Sequence, residues 1–138
     1  MRASNAAAEM ARLIIVLKPR GPAAGHELIP KLMPALQRLN AEFDHQGPSH
    51  LSGVMRVPPQ GMVVQLFADV QPQADGPELD VVLMSSETMI KGAPQTLQAL
   101  AALISLLPEH AGDLELIFRS DRDGPVPRQG SRPLAAQG

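Results

Sequence analysis

The sequence contains no cysteine, tyrosine or tryptophan, and phenylalanine occurs only three times among its 138 residues. Without cysteine the chain has no disulfide framework, no thiolate nucleophile and no cysteine-ligated metal. The scarcity of aromatic rings argues against a surface that stacks nucleic-acid bases or sugars. The core must therefore be built mainly from leucine, valine, isoleucine, methionine and alanine.

Neither sign of charge dominates, because 12 lysine and arginine residues stand against 14 aspartate and glutamate residues, a net charge of −2. A surface that binds a phosphate backbone usually has a basic excess, so nucleic acid is not an expected partner. No apolar run approaches the roughly 20 residues that span a membrane. Residues 13–17 are also too short a run for a signal peptide. We therefore expect a soluble cytoplasmic protein with no membrane partner.

The length fits one domain, which we assign to residues 12–119. A lead-in at residues 1–11 precedes it, and a flexible tail containing proline, glycine and arginine follows at residues 120–138. Leu13–Leu17 is a continuous apolar run, which is typical of a strand buried on both faces. Residues 26–43 have a helical period, with an apolar stripe formed by Leu28, Leu32, Leu36, Leu39 and Phe43.

The rest of the chain predicts a meander of strands, a second helix and a last strand. Apolar and polar residues alternate over 51–57 and 62–70, and an apolar run follows at 79–84. A connector at 85–92 leads to the helix at 93–107, and 114–118 is a short final strand. The order β-α-β-β-β-α-β predicts an α+β two-layer sandwich, a ferredoxin-like variant. Its mainly antiparallel sheet has both helices on one face.

The predicted helix Ala93–Leu107 carries no charged side chain. Its large apolar residues cover an arc of about 180°, whereas a single sheet covers roughly 100° of a helix. Either the first helix covers the excess within the chain, or another chain does. We favour a second subunit, since symmetric homodimers are the commonest form of such contacts, or a partner protein. The predicted interface residues are Leu97, Leu100, Leu103, Ile104, Leu106 and Leu107.

Lys18 and Arg20 lie between the first strand and the first helix, where helix N-termini often receive anions. The corner from Lys18 to Gly25 is therefore a candidate anion-binding site, although it matches no phosphate-binding glycine motif. His45 and His50 share a loop with Asp44, but a glycine-proline loop fixes their spacing poorly, and we predict no metal. Ser85 lies before a helix without a nucleophile motif, which favours a capping role.

These patterns predict a noncatalytic interaction or assembly module, acting as a homo-oligomer or adaptor. No catalytic residue, metal or cofactor is expected. The alternative is a small-molecule or anion-binding domain, regulatory or enzymatic, that uses the Lys18–Gly25 corner. The order α-βββ-α-β is similar to the layout of small acidic type III secretion chaperones, which bind partner chains as dimers. The first strand departs from that layout and no motif residues carry the similarity, so no family is assigned.

Overall fold

The computed structural model describes residues 10–58 and 61–120. Six strands and two α-helices follow one another along this part of the chain. The strands are β1 (Met10–Pro19), β2 (Glu42–Gln46), β3 (His50–Val57), β4 (Met62–Gln71), β5 (Glu78–Thr88) and β6 (Leu114–Arg119), and the helices are α1 (Leu28–Arg38) and α2 (Pro94–His110). Short 3₁₀ turns at Gly25–Glu27 and Met89–Lys91 precede the helices.

The strands form a single sheet in the order β2-β3-β4-β5-β1-β6, and every neighbouring pair is antiparallel. The predicted meander is present as β3, β4 and β5. The α+β class and the antiparallel sheet with two helices are as predicted from the sequence. The ferredoxin-like order is not confirmed, and a sheet of six strands is larger than is typical of that arrangement.

Both helices pack on one face of the sheet and bury one continuous apolar core. The core side of β1 is formed by Leu13, Ile15 and Leu17, each no more than 1% exposed. The same face of the other strands and the inner faces of the helices complete the cluster. Removal of this apolar surface from water stabilises the fold by about 25 cal/mol per Å².

The second strand corrects the sequence prediction at Phe43. The helical stripe predicted one helix through residue 43, whereas α1 ends at Arg38 and Phe43 lies within β2. Asn40 adopts a left-handed φ of 57°, a conformation that asparagine tolerates well at a helix end. The amide of Ala41 then bonds to the carbonyl of Leu36 at 3.2 Å, which turns the chain into the sheet. Residues 44–46, predicted as loop, continue this edge strand.

Other element boundaries also differ from the predictions. β1 begins at Met10, two residues inside the predicted lead-in, and β5 runs beyond residue 84 to Thr88. Helix α2 continues through Pro108 to His110, although Pro108 was expected beyond its end. The remaining residues of the predicted lead-in and tail, and Pro59 and Gln60 of a predicted turn, lie outside the described residues. Within the described residues, no helix is both long and apolar enough to cross a membrane.

Candidate functional site

The six predicted interface residues of α2 divide into two groups. Leu100, Leu103 and Leu107 are at most 4% exposed and belong to the core of their own chain. Leu97, Ile104 and Leu106 are partly buried and pack against the edge of that core. Contacts between the two helices account for part of this cover. The outer surface of α2 is therefore less apolar than its sequence suggests, and its role as an interface stays a prediction.

The opposite face of the sheet carries a second apolar cluster, here called the open face. It lies on the side away from both helices, and its side chains alternate with the core residues along each strand. The register aligns Ile14 with Val82 and Val82 with Phe67 across three neighbouring strands. The apolar cluster of the open face consists of Ile14, Val16, Val54, Phe67, Val82 and Met84, all half-buried and all outside the core cluster.

The neighbouring strands β1 and β5 carry most of this cluster. Residues 13–17 of β1 are apolar on both sides, and residues 81–84 of β5 are as well. By contrast, β3 presents Ser52 and Arg56 on the open face. Strands covered on both faces read as continuous apolar runs, whereas strands with one solvated face alternate. The sequence of β1 predicts burial on both faces, yet both α-helices of the described chain cover the same face. Within the chain, Ile14 and Val16 are only half-buried.

Opposite charges mark the two ends of the open face along the strand direction. Arg12 is exposed beside Met84 at one end, and Arg56 is exposed opposite Val63 at the same end. Asp69 and Asp80 are cross-strand neighbours at the other end. The apolar cluster therefore lies between a cationic end and an acidic end, and the acidic end also carries Lys18, which lies two residues beyond Val16 and is ion-paired with Asp75.

Two histidines lie at the corner of the open face nearest β2. The ring centroids of His45 and His50 are 5.3 Å apart. His50 Nδ1 lies 2.6 Å from the Asp69 carboxylate, and the Ser52 hydroxyl donates to Asp44 at 2.6 Å. The structure thus assigns these polar groups to cross-strand pairs. Over residues 10–58 and 61–120, no group of three or more histidine, aspartate or glutamate side chains has a geometry suited to a metal ion.

The predicted anion corner is occupied by contacts within the chain. Lys18 forms an ion pair with Asp75 from the β4–β5 turn. Arg20 donates from Nε to the carbonyl of Gly112 at 2.9 Å. A cavity of about 430 Å³ lies beside Lys18 and Asp75. The two cations are thus drawn towards different partners, and an anion would compete with the Asp75 carboxylate for Lys18.

A cluster of hydrogen bonds joins the end of β5 to the start of α2. The sequence predicts only a capping role for this region. The Glu87 carboxylate accepts from the Gln95 amide at 2.9 Å and from the Thr96 amide at 2.7 Å. It also accepts from the Thr96 hydroxyl at 2.7 Å, and that hydroxyl lies 2.6 Å from the Ser85 hydroxyl. Ser85 and Thr96 are buried at 3% and 0% exposure. Ser85 therefore supports a helix cap.

The charge of Glu87 is favoured by this cap. Partial burial raises the pKa of its carboxyl, but the hydrogen bonds from the Thr96 side chain and from the Gln95 and Thr96 amides lower it. The net pKa is below the ordinary value of 4.5, so the folded state holds Glu87 ionised. A carboxylate at this position also faces the positive end of the α2 dipole.

Comparison with known proteins finds no matching protein-family model and no matching curated protein. The sequence alone directs attention to α2, and the open face is missed. The signal that points to it is the apolar run Leu13–Leu17, whose two sides cannot both be covered by helices that lie on one side of the sheet.

Proposed function

We propose that this chain is a noncatalytic interaction or assembly module that binds another protein chain through the open face of its sheet. The observation that supports this proposal is the pair of neighbouring strands β5 and β1, which have apolar residues on both sides, whereas the helices of the described residues lie on only one side. Contiguous apolar patches larger than a few hundred Å² are rare on monomers and usually mark an interaction site. A homo-oligomeric or adaptor role and a cytoplasmic location belong to the same proposal.

The chemistry of the other polar clusters supports a noncatalytic role. The hydroxyl of Ser85 is used in the cap of α2, where it accepts from the Glu87 amide at 3.0 Å. His50 is paired with Asp69 across two strands, and both side chains lie on a polar border of the apolar cluster. Acyl-transfer chemistry requires a nucleophile placed beside a base. Here Ser85 and His50 are each held by a separate local hydrogen bond, which accounts for their positions without a catalytic role.

A single charge on the open face tests the proposal. Val82 lies at the centre of the apolar cluster, where Val82→Glu introduces a carboxylate without touching the core. We expect the full-length wild type to associate and Val82→Glu to weaken that association at least about tenfold, because an unpaired charge is costly to bury. Light scattering after size-exclusion chromatography measures the mass, and circular dichroism checks that the fold is unchanged.

Ala101→Glu is the matched control, because Ala101 is exposed on the outer side of α2. It adds the same charge to the helical layer, away from the open face. We expect its association to equal that of the wild type. If Ala101→Glu disrupts association and Val82→Glu does not, the contact lies on α2. A wild type that stays a single chain at high concentration, with no Val82-dependent partner, contradicts the proposed function.

A second candidate function uses the corner from Lys18 to Gly25. The cavity of about 430 Å³ beside Lys18 lies within the size range of small-molecule sites, about 300–1,000 Å³. If this site binds anions, phosphate-bearing metabolites raise the melting temperature, and combined Lys18→Ala and Arg20→Ala substitution abolishes the rise. The matched control is Lys91→Ala, because Lys91 is exposed elsewhere on the chain. An unchanged melting temperature across the panel contradicts this candidate.

A further inference from the structure

The open face has a centre and two ends of opposite charge, and this pattern is complementary to itself. Ile14, Val82 and Phe67 form the central row, in register across β1, β5 and β4. Arg12 lies two residues from Ile14 towards one end of the strands. Val16 lies two residues from Ile14 towards the other end, with Asp80 as its cross-strand neighbour. Arg12 and Asp80 therefore lie at equal distances from the central row, on opposite sides of it.

We propose that the partner of the open face is a second copy of this chain, bound face to face about a two-fold axis that runs across the strands over the central row. This inference rests on the proposed function and names its partner. The rotation exchanges the two ends of the face, so Arg12 of each copy lies over Val16 and beside Asp80 of the other. Neighbouring strands are only about 4.8 Å apart, which is within reach of an arginine side chain.

The charges select this axis over the alternative. A two-fold axis parallel to the strands keeps each end over itself, so Asp69 and Asp80 of one copy face the same acidic end of the other. Like charges brought together at an interface cost binding free energy and suppress that arrangement. With the axis across the strands, the cationic ends approach the acidic ends. The two contacts between Arg12 and Asp80 are equivalent by symmetry.

The face is also large enough for a stable contact. The neighbouring strands β3, β4, β5 and β1 each present at least eight residues and β6 presents six, which at about 4.8 Å per strand and about 3.4 Å per residue gives about 600 Å² per copy. Two copies then bury about 1,200 Å², above the roughly 1,000 Å² expected of a specific interface. Sheets that pack face to face in this way cross at about 30° with their side chains interdigitated. The half-buried valine, isoleucine and phenylalanine side chains of the cluster suit such packing.

Charge reversal at one pair tests the orientation. In a homodimer, Arg12→Glu brings the introduced carboxylate against Asp80 at both symmetric contacts, and Asp80→Lys brings the introduced ammonium group against Arg12 at both. We expect each variant to raise the dimer dissociation constant about tenfold at low salt, and less at about 1 M salt, where charges are screened. Arg38→Glu, a charge reversal at an exposed position of α1 on the other side of the sheet, leaves the constant unchanged.

Mixing the two full-length variants gives the decisive measurement. In a heterodimer, the glutamate introduced at position 12 of one copy meets the lysine introduced at position 80 of the other, while the unaltered Asp80 and Arg12 form the second contact. We expect heterodimers to form in preference to both homodimers and to recover wild-type affinity within about threefold. Native mass spectrometry with one chain ¹⁵N-labelled counts the species. Asp80→Asn serves as a milder variant if Asp80→Lys lowers the melting temperature.

The outcomes separate this inference from the proposed function. If Val82→Glu abolishes dimers but the charge reversals have no effect, or their mixture shows no preference for heterodimers, the face is correct and the orientation is overturned. If Val82→Glu has no effect on wild-type association, both proposals are overturned. Preferential heterodimers that depend on Val82 support both.

Discussion

Glu87 caps α2 from outside the helix. Most N-terminal caps are supplied by a serine, threonine, aspartate or asparagine directly before the first turn. Here that position is Ala93, which makes no side-chain hydrogen bond, and Glu87 reaches back from the end of β5. One carboxylate thus satisfies the amides of Gln95 and Thr96, which have no partner inside the helix. The cap also fixes the strand end to the helix start.

Removal of this carboxylate should destabilise the domain. We expect Glu87→Gln to cost about 1 kcal/mol, because an amide group replaces one accepting oxygen with a donor that opposes the backbone amides. For a domain of this size the melting temperature falls by about 3 °C. Glu109→Gln makes the same change at the other end of α2, where Glu109 is exposed. A carboxylate there is unfavourable to the helix dipole, so the control should be neutral or slightly stabilising.

The lowered pKa of Glu87 gives this contribution a pH dependence. Because the folded pKa lies below the ordinary value of 4.5, the unfolded chain binds more protons in the acidic range. Stability from Glu87 is therefore complete above 4.5 and is lost as the pH falls through the folded pKa. Urea unfolding of wild type and Glu87→Gln should show a difference at about pH 7 that shrinks on acidification. A difference that grows on acidification contradicts the sign.

The sequence supports a capping role for Ser85 but gives no distance between Glu87 and Thr96, which are nine positions apart. Gly53 is a comparable case. A Cβ at Gly53 would collide with the Glu42 carbonyl oxygen, so this glycine allows the edge strand to approach. A glycine inside a strand predicts a close approach, but the partner depends on the register, which depends in turn on tertiary contacts.

The leucines of α2 differ in burial although they belong to one apolar arc. This arc predicts either cover within the chain or an interface, and the structure buries Leu100, Leu103 and Leu107 internally. We expect Leu103→Ala to cost about 3 kcal/mol of unfolding free energy, because it leaves a cavity in the core. Leu106→Ala should cost less than half as much, since Leu106 lies at the core edge. Denaturant unfolding measures both.

Equal costs for Leu103→Ala and Leu106→Ala would contradict the burial of α2 described above. Association provides a second measurement for the same pair of variants. If Leu106→Ala weakens self-association while leaving stability unchanged, α2 contributes to an interface, as its sequence predicts. Unchanged association together with a small stability loss assigns Leu106 to the border of the core.

Among the elements, the strongly patterned ones were predictable and the short edge strand was not. The alternation at 51–57 and 62–70 reflects one buried face, and it predicts β3 and β4 closely. β2 escaped prediction because Phe43 continues the helical period of α1 by coincidence. The turn that ends α1 depends on the left-handed Asn40, which is a weaker signal than glycine. Pro108 cannot donate to the Ile104 carbonyl, and α2 ends two residues later, at His110.

At the scale of the whole molecule, the class of fold follows from the order of elements, but the strand order does not. β1 pairs with β5 on one side and β6 on the other, and neither neighbour is close in sequence. Local patterns carry no signal for such partners. The open face depends on this placement, because its apolar cluster exists only when Ile14 lies beside Val82. The candidate site therefore depends on the strand order, which the sequence does not predict.

The placement of β1 between β5 and β6 also constrains how the chain acquires its structure during synthesis. Leu17 pairs with Leu79 of β5, and Val16 pairs with Phe118 of β6. Of the six described strands, β1 is therefore synthesised first but pairs with β6 only after β6 has been synthesised. Closing loops of this length is entropically costly and slows folding. Until residue 119 has emerged from the ribosome, the apolar run Leu13–Leu17 lacks one of its hydrogen-bonding neighbours. During that interval the nascent chain depends on its surroundings to keep this strand from pairing with the wrong edge.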